Sequence, residues 1–166
     1  TLPAASFLHE PHSDHANYFS WADLLASGAA VPLDRSIQQP AYALLLTPWL
    51  QLFPDSTVAL PLTRFGHALA GAAAAGLLTL LATRFLIPRW SLLAGLLYAL
   101  SPVTVFTDLT WSKEQLAITC WLAVMLLVNR PDWPSRVAAV TLAVLAIGLR
   151  ELFVVPLLFA ATAWYL

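Results

Sequence analysis

Few residues in this 166-residue chain carry charge, and a handful of them fall where acid–base or anion chemistry is feasible. The N-terminal run HEPHSDHANYF gathers His9, Glu10, His12, Asp14 and His15. A carboxylate such as Asp14 on an outward loop accepts the proton of an attacking hydroxyl or binds a cation; the plain alternative is a solvated loop. His9, His12 and His15 recur every three residues, as a zinc triad would. Hard cations prefer oxygen, so a magnesium or manganese ion on carboxylates such as Asp14 and Glu114 is favoured over zinc. Glu114 follows Lys113 at the start of an apolar stretch. It serves as a second acid there, or only as a helix N-terminal acid favoured by the macrodipole, with Lys113 snorkelling beside it. Arg150, next to Glu151 between two apolar segments, has planar donors that grip two phosphate oxygens at once. Plain loop charge is its other reading. Arg64, opening an apolar span, either assists that anion site or anchors its helix, and His67 reads as a packed histidine. No glycine-rich phosphate loop, HExxH helix or nucleophile elbow occurs.

The elements that must position these groups follow from composition. Apolar residues make up 60 % of the chain, charged residues 10 %, and the mean hydropathy is +0.75. Soluble domains carry about 25 % charged residues, so the shortage nearly excludes that class, and it excludes disorder, which needs low hydrophobicity with high charge. Eight Lys and Arg against nine Asp and Glu leave a net charge of −1, with no basic field for nucleic acid. The single cysteine, Cys120, supports neither an internal disulfide nor a cysteine-rich metal site.

A helix needs about 20 mostly apolar residues to cross the hydrocarbon. Charge-free stretches at 65–83, 90–107 and 115–129 meet or approach that length. Shorter ones at 137–149 and 152–166 flank Arg150-Glu151, which reads as a break between two short helices rather than one long helix with a buried ion pair. The expected fold is therefore all-α: a polytopic transmembrane bundle of four to five helices over 61–166, with spans near 61–85, 90–107, 114–129, 136–149 and 152–166. Residues 1–60 form an outward loop with juxtamembrane amphipathic helices. One covers DHANYFSWADLLAS with Tyr18, Trp21, Leu24 and Leu25 at helical spacing; another is the short apolar YALLLTPWLQLF behind Pro40. The chain starts without Met and stops inside an apolar run, so helices are expected beyond both ends.

Arginine-bearing short loops stay on the cytoplasmic side. RFLIPR, with Arg84 and Arg89, and RPDWPSR, with Arg130 and Arg136, are both such loops. Two spans separate them, so the turn 108–114 lies on the outer face, and Arg150 returns there one helix later. Asp14, Asp108, Lys113, Glu114, Arg150 and Glu151 then collect outside. Trp49, Trp90, Trp111, Trp133 and Trp164 fall near span ends, as interfacial aromatics do.

The order of these features resembles the GT-C glycosyltransferases: Asp14–Tyr18, Pro40-Ala41-Tyr42, Arg64, the arginine turn, Ser101-Pro102 and Lys113-Glu114. The nearest likeness is the bacterial branch similar to dolichyl-phosphate-mannose protein mannosyltransferases and aminoarabinose transferases. The resemblance spans nearly the whole chain. It implies an integral protein of the bacterial inner membrane, with an outward active site, that moves a sugar from a polyprenyl-phosphate carrier to an acceptor. It places the first-loop acid on Asp14, the second-loop acid on Glu114 with Asp108 as rival, and the phosphate-side arginine on Arg150. Lys113, Tyr18 and Arg64 are the further substrate-binding candidates. Many members carry adjacent acids in the first loop, whereas His15 follows Asp14 here. Two other classes share the composition. A transporter or lipid flippase places charges near mid-bilayer and repeats its halves, and a structural membrane subunit needs none of these charges.

Overall fold

The computed structural model describes residues 14–30, 40–53, 56–109, 113–150 and 154. The fold is all-α, with no strand among the described residues. In chain order the helices are α1 (Asp14–Ala26), α2 (Pro40–Leu52), α3 (Ser56–Ala82), α4 (Pro88–Ala99), α5 (Pro102–Leu109), α6 (Lys113–Leu127) and α7 (Trp133–Leu149). The chain divides into two units, Thr1–Thr63 and Arg64–Leu166, with the boundary inside α3.

In the first unit, α1 and α2 pack through an aromatic cluster. Tyr18 meets Trp21 and Tyr42 edge-on, with ring centroids 5.4 Å apart in both pairs. All three rings are buried with Ala22, Ala43 and Leu46, and edge-to-face pairs add to the stabilisation from their buried area. The end of α1 is built by Gly28. Its positive φ of 74° lets its N–H reach the Leu25 carbonyl at 3.1 Å and sends the Ala29 N–H back to Leu24 at 2.8 Å. Both are carbonyls the last turn otherwise leaves open. Pro40 does open α2, where its missing N–H costs nothing.

In the second unit, one expected span is two helices. The apolar stretch 90–107 breaks at Leu100 and Ser101, between α4 and α5. Pro102 lacks an N–H and biases the residue before it away from helical dihedrals. Ser101 then starts α5 by accepting the Val105 N–H on its carbonyl at 3.0 Å. At about 1.5 Å per residue, neither α4 nor α5 covers a 30 Å hydrocarbon core alone. Helix α7 starts earlier than expected, at Trp133, because Asp132 caps it and Pro134 suits its first turn. It ends at Leu149, with Arg150 extended at φ −155° and ψ 114°. The break at Arg150 is therefore present. The expected span 152–166 falls outside the described residues apart from Val154, as do His9 and His12.

Among the described residues one helix, Val58–Ala82, is long and apolar enough to cross a membrane, and only 22 % of its most apolar window is buried. Ala41–Leu52 and Trp133–Leu149 are shorter apolar helices. Large apolar side chains point outward along several helices of the second unit: Phe65, Leu69 and Leu80 on α3, Trp90, Leu92 and Leu97 on α4, Val140 and Val144 on α7.

Small residues set the close contacts. Ala117 and Cys120 of α6 and Ala139 and Ala146 of α7 are buried, small residues of the kind that let helices approach closely. Gly95 of α4 is tighter still. A Cβ there would sit 1.9 Å from the Thr79 hydroxyl and 2.8 Å from the Ala75 carbonyl of α3. Thr79 is itself tied to that carbonyl at 2.9 Å, so the neighbour cannot yield by a side-chain rotation alone. Gly95→Ala is expected to destabilise the protein by about 1–3 kcal/mol through overpacking, against the ordinary gain from Gly to Ala in a helix. A thermal melt in detergent checks it: a raised melting temperature would show that α3 and α4 do not meet there.

Candidate functional site

Helix α6 is the hub of the second unit. Its first turn carries Lys113, Glu114 and Gln115, and each later contact fixes how that turn sits. The Arg150 guanidinium donates from Nη1 to Glu114 Oε1. Glu114 lies in the first turn of α6 and Arg150 caps the C-terminal end of α7. Each charge thus complements the dipole of its own helix. The two side chains retain about a third of their exposure, 32 % and 36 %, so the pair is open to water and ligand. Arginine has five donors in a fork, and one bond to a carboxylate does not exhaust them.

Next to Glu114, Gln115 is 1 % exposed. Its amide nitrogen donates to the Tyr98 hydroxyl oxygen at 3.1 Å, tying the start of α6 to the end of α4. Sequence reading did not single out this pair. A glutamine directly after the charged Lys-Glu start of an otherwise apolar helix is the signal for it, since a buried amide requires a partner.

The relative levels of the helices follow from two contacts. The Thr119 hydroxyl donates to the Ala70 carbonyl at 3.0 Å, and the Arg84 guanidinium donates to the Leu126 carbonyl at 3.1 Å. Both partners advance together, so α3 and α6 run in the same sense. Six residues back along each helix from Ala70 and Thr119, about 9 Å, stand Arg64 and Lys113. Arg64, Lys113, Glu114 and Arg150 therefore occupy one layer. At the opposite end, Arg84 caps the last carbonyls of α6, which lead directly into the turn bearing Arg130. The two arginine turns share one end of this unit, as the charge argument requires. The candidate site is at the other end, about 18 Å along α6.

The remaining candidates are placed as follows. Asp14 is the first residue of α1 and Asp108 lies near the end of α5; the side chains of both, and of His15, are outside those described. Tyr18 is 4 % exposed, and its ring is a packing element between Trp21 and Tyr42. Asp14 and Tyr18 belong to the first unit, whereas Arg64, Lys113, Glu114 and Arg150 belong to the second. His67 is 3 % exposed, a packed histidine as its position in α3 suggests. Glu114 is engaged by Arg150, and among the described residues no three His, Cys, Asp or Glu side chains come together. Asp14, the other carboxylate expected to hold a magnesium or manganese ion with Glu114, has its side chain outside those described.

Asp132 has a structural use. Its carboxylate accepts the Ser135 N–H at 2.9 Å, and the Ser135 hydroxyl and N–H together hold its carboxyl below the ordinary value of 3.8. A lowered folded-state pKa stabilises the cap above that ordinary value and releases it as pH falls through the folded value. Acidification below pH 3.8 is thus expected to speed amide exchange at the first turn of α7. Asp132→Asn should keep the cap and lose this pH dependence. An equally pH-dependent exchange in the variant would assign the effect elsewhere.

Comparison with models of known protein families, with curated proteins and with solved structures finds no match.

Proposed function

We propose that this chain belongs to a polytopic membrane glycosyltransferase that moves a sugar from a polyprenyl-phosphate carrier to an acceptor outside the bacterial inner membrane. The observation that carries the reading is the layer of Arg64, Lys113, Glu114 and Arg150 at the end of the helices away from the arginine turns. Arg150 pairs with Glu114 there, Arg64 and Lys113 stand at the same level along their helices, and a cluster of cationic side chains at one level suits an anionic phosphate. The charge-free run 65–82 between Arg64 and the arginine turn is about 27 Å long, close to the hydrocarbon thickness. That length supports placing the layer at one membrane boundary and the turns at the other. The outward-facing leucines, valines and aromatics support a lipid surrounding.

In the proposed reaction an acceptor hydroxyl attacks the anomeric carbon and the bond from that carbon to the phosphate oxygen breaks. The hydroxyl proton passes to Asp14, and the electron pair of the broken bond leaves on the phosphate. Arg150, oriented by Glu114, stabilises the charge that grows on the leaving phosphate, with Lys113 and Arg64 adding to the field. A single displacement inverts the anomeric centre.

The test is direct. Full-length protein in membranes is incubated with a labelled polyprenyl-phosphate sugar, and both release of polyprenyl phosphate and the anomeric configuration of the product are followed. Release with inversion is expected. No transfer to lipid, protein or glycan acceptors would overturn the enzyme reading, and a retained anomeric configuration would overturn the single displacement.

A further inference from the structure

At the arginine-turn end, α4 carries an open groove of 430 Å³ lined by Ile87, Arg89, Trp90, Leu92, Leu93 and Leu96. Arg89, Leu92, Leu93 and Leu96 follow helical spacing, so they form one stripe about 10 Å long with the cation at its polar end. The groove is exposed: Trp90 keeps 59 % of its surface and Leu96 49 %. Its charge is uncompensated by the local chain. From residue 56 to residue 107 there is no Asp or Glu, while Arg64, Arg84 and Arg89 all fall within that stretch. Arg84 is committed to the Met125 and Leu126 carbonyls. Among the described residues no carboxylate pairs with Arg89, and Asp132, on the adjoining turn, accepts from Ser135.

We propose that this groove seats one anionic glycerophospholipid, its phosphate on Arg89, its glycerol region beside Trp90 and an acyl chain along Leu92, Leu93 and Leu96. A cation at the polar end of an apolar groove, with an indole between, matches the order of charge, interface and hydrocarbon in such a lipid. A free phosphate would leave the leucine stripe uncovered, and a zwitterionic lipid would bring its own ammonium beside the phosphate and leave the net charge at Arg89 unchanged. The proposal rests on the membrane reading, not on the glycosyltransferase reading, and it concerns the end of the helices away from the candidate catalytic layer.

Native mass spectrometry of the full-length protein, released from bilayers of equal phosphatidylglycerol and phosphatidylcholine, tests it. Retained phosphatidylglycerol should exceed phosphatidylcholine about fivefold, the factor given by roughly 1 kcal/mol per arginine near an anionic surface. Arg89→Gln should bring the two to parity, and Arg130→Gln should leave the preference intact. Leu93→Trp, which fills the groove without touching the charge, should lower retention of the acyl chain. Equal retention of both lipids by the wild-type protein, or an unchanged preference in Arg89→Gln, overturns the proposal. Displacement by soluble glycerol phosphate overturns the acyl-chain seat in favour of a headgroup site. A protein stripped from membranes by alkaline carbonate refutes the membrane reading itself; one that stays embedded without lipid preference refutes only the lipid site.

Discussion

Arg150→Ala is expected to lower sugar transfer by about 10²–10³ in kcat, the loss typical of removing one preorganised donor from a developing oxyanion. The side chain has two uses at once. It pairs with Glu114 across the start of α6 and the end of α7, and in the proposed reaction its remaining donors serve the leaving phosphate. The structural share is modest, because both partners keep about a third of their exposure and exposed pairs are worth on the order of 1 kcal/mol or less. A loss of activity much larger than the loss of stability therefore separates the two uses.

The exchanged double variant, Glu114→Arg with Arg150→Glu, sharpens the separation. It restores an ion pair but puts a cation at the N-terminal end of α6 and an anion at the C-terminal end of α7. Both now oppose the helix dipoles, each at a cost of about 0.3–1 kcal/mol. Stability should recover only in part, and transfer not at all, since the phosphate then meets a carboxylate where the guanidinium stood. Wild-type transfer by Arg150→Ala, or transfer that recovers with stability in the exchanged variant, would reduce the pair to a structural clamp.

Asp14→Asn is expected to lower transfer by about 10²–10⁴, the range assigned to a positioned general base. Asn is the informative replacement because Asp14 begins α1, where Asp and Asn serve almost equally well at a helix start. The amide keeps shape and hydrogen bonding but cannot take up the hydroxyl proton. Stability of the first unit, held by the Tyr18, Trp21 and Tyr42 cluster, should not change. Undiminished transfer would remove Asp14 from the reaction, and a melt lowered together with activity would make it a helix-start residue only.

Individual elements show how far sequence reading reaches. The α1 and α2 helices were legible because aromatic spacing and Pro40 are local signals. The common side of the two arginine turns was legible because charge asymmetry follows sidedness, and Arg84 at the end of α6 realises it within one unit. The stretch 90–107 forms two helices rather than the single span its hydropathy predicts: hydropathy averages over Ser101-Pro102, while the chain obeys the missing proline N–H. Asp132 was overlooked as a cap because a loop acid gives no hydropathy signal, although Asp followed by Trp-Pro-Ser is a helix-start pattern.

Composition and period by themselves determined that the chain is helical and apolar on its outside, and local chemistry determined where most helices begin and end. Those properties depend on residues within a few positions of one another. Which charges meet was decided only by the tertiary structure. Arg150 stands beside Glu151 in sequence yet pairs with Glu114, thirty-six positions away, because α6 and α7 run back along each other on small buried residues. Arg64 comes to the level of Lys113 because the Thr119 hydroxyl sets the register of α6 against α3. Such registers depend on how side chains of distant segments interlock, and no window of local sequence contains both partners.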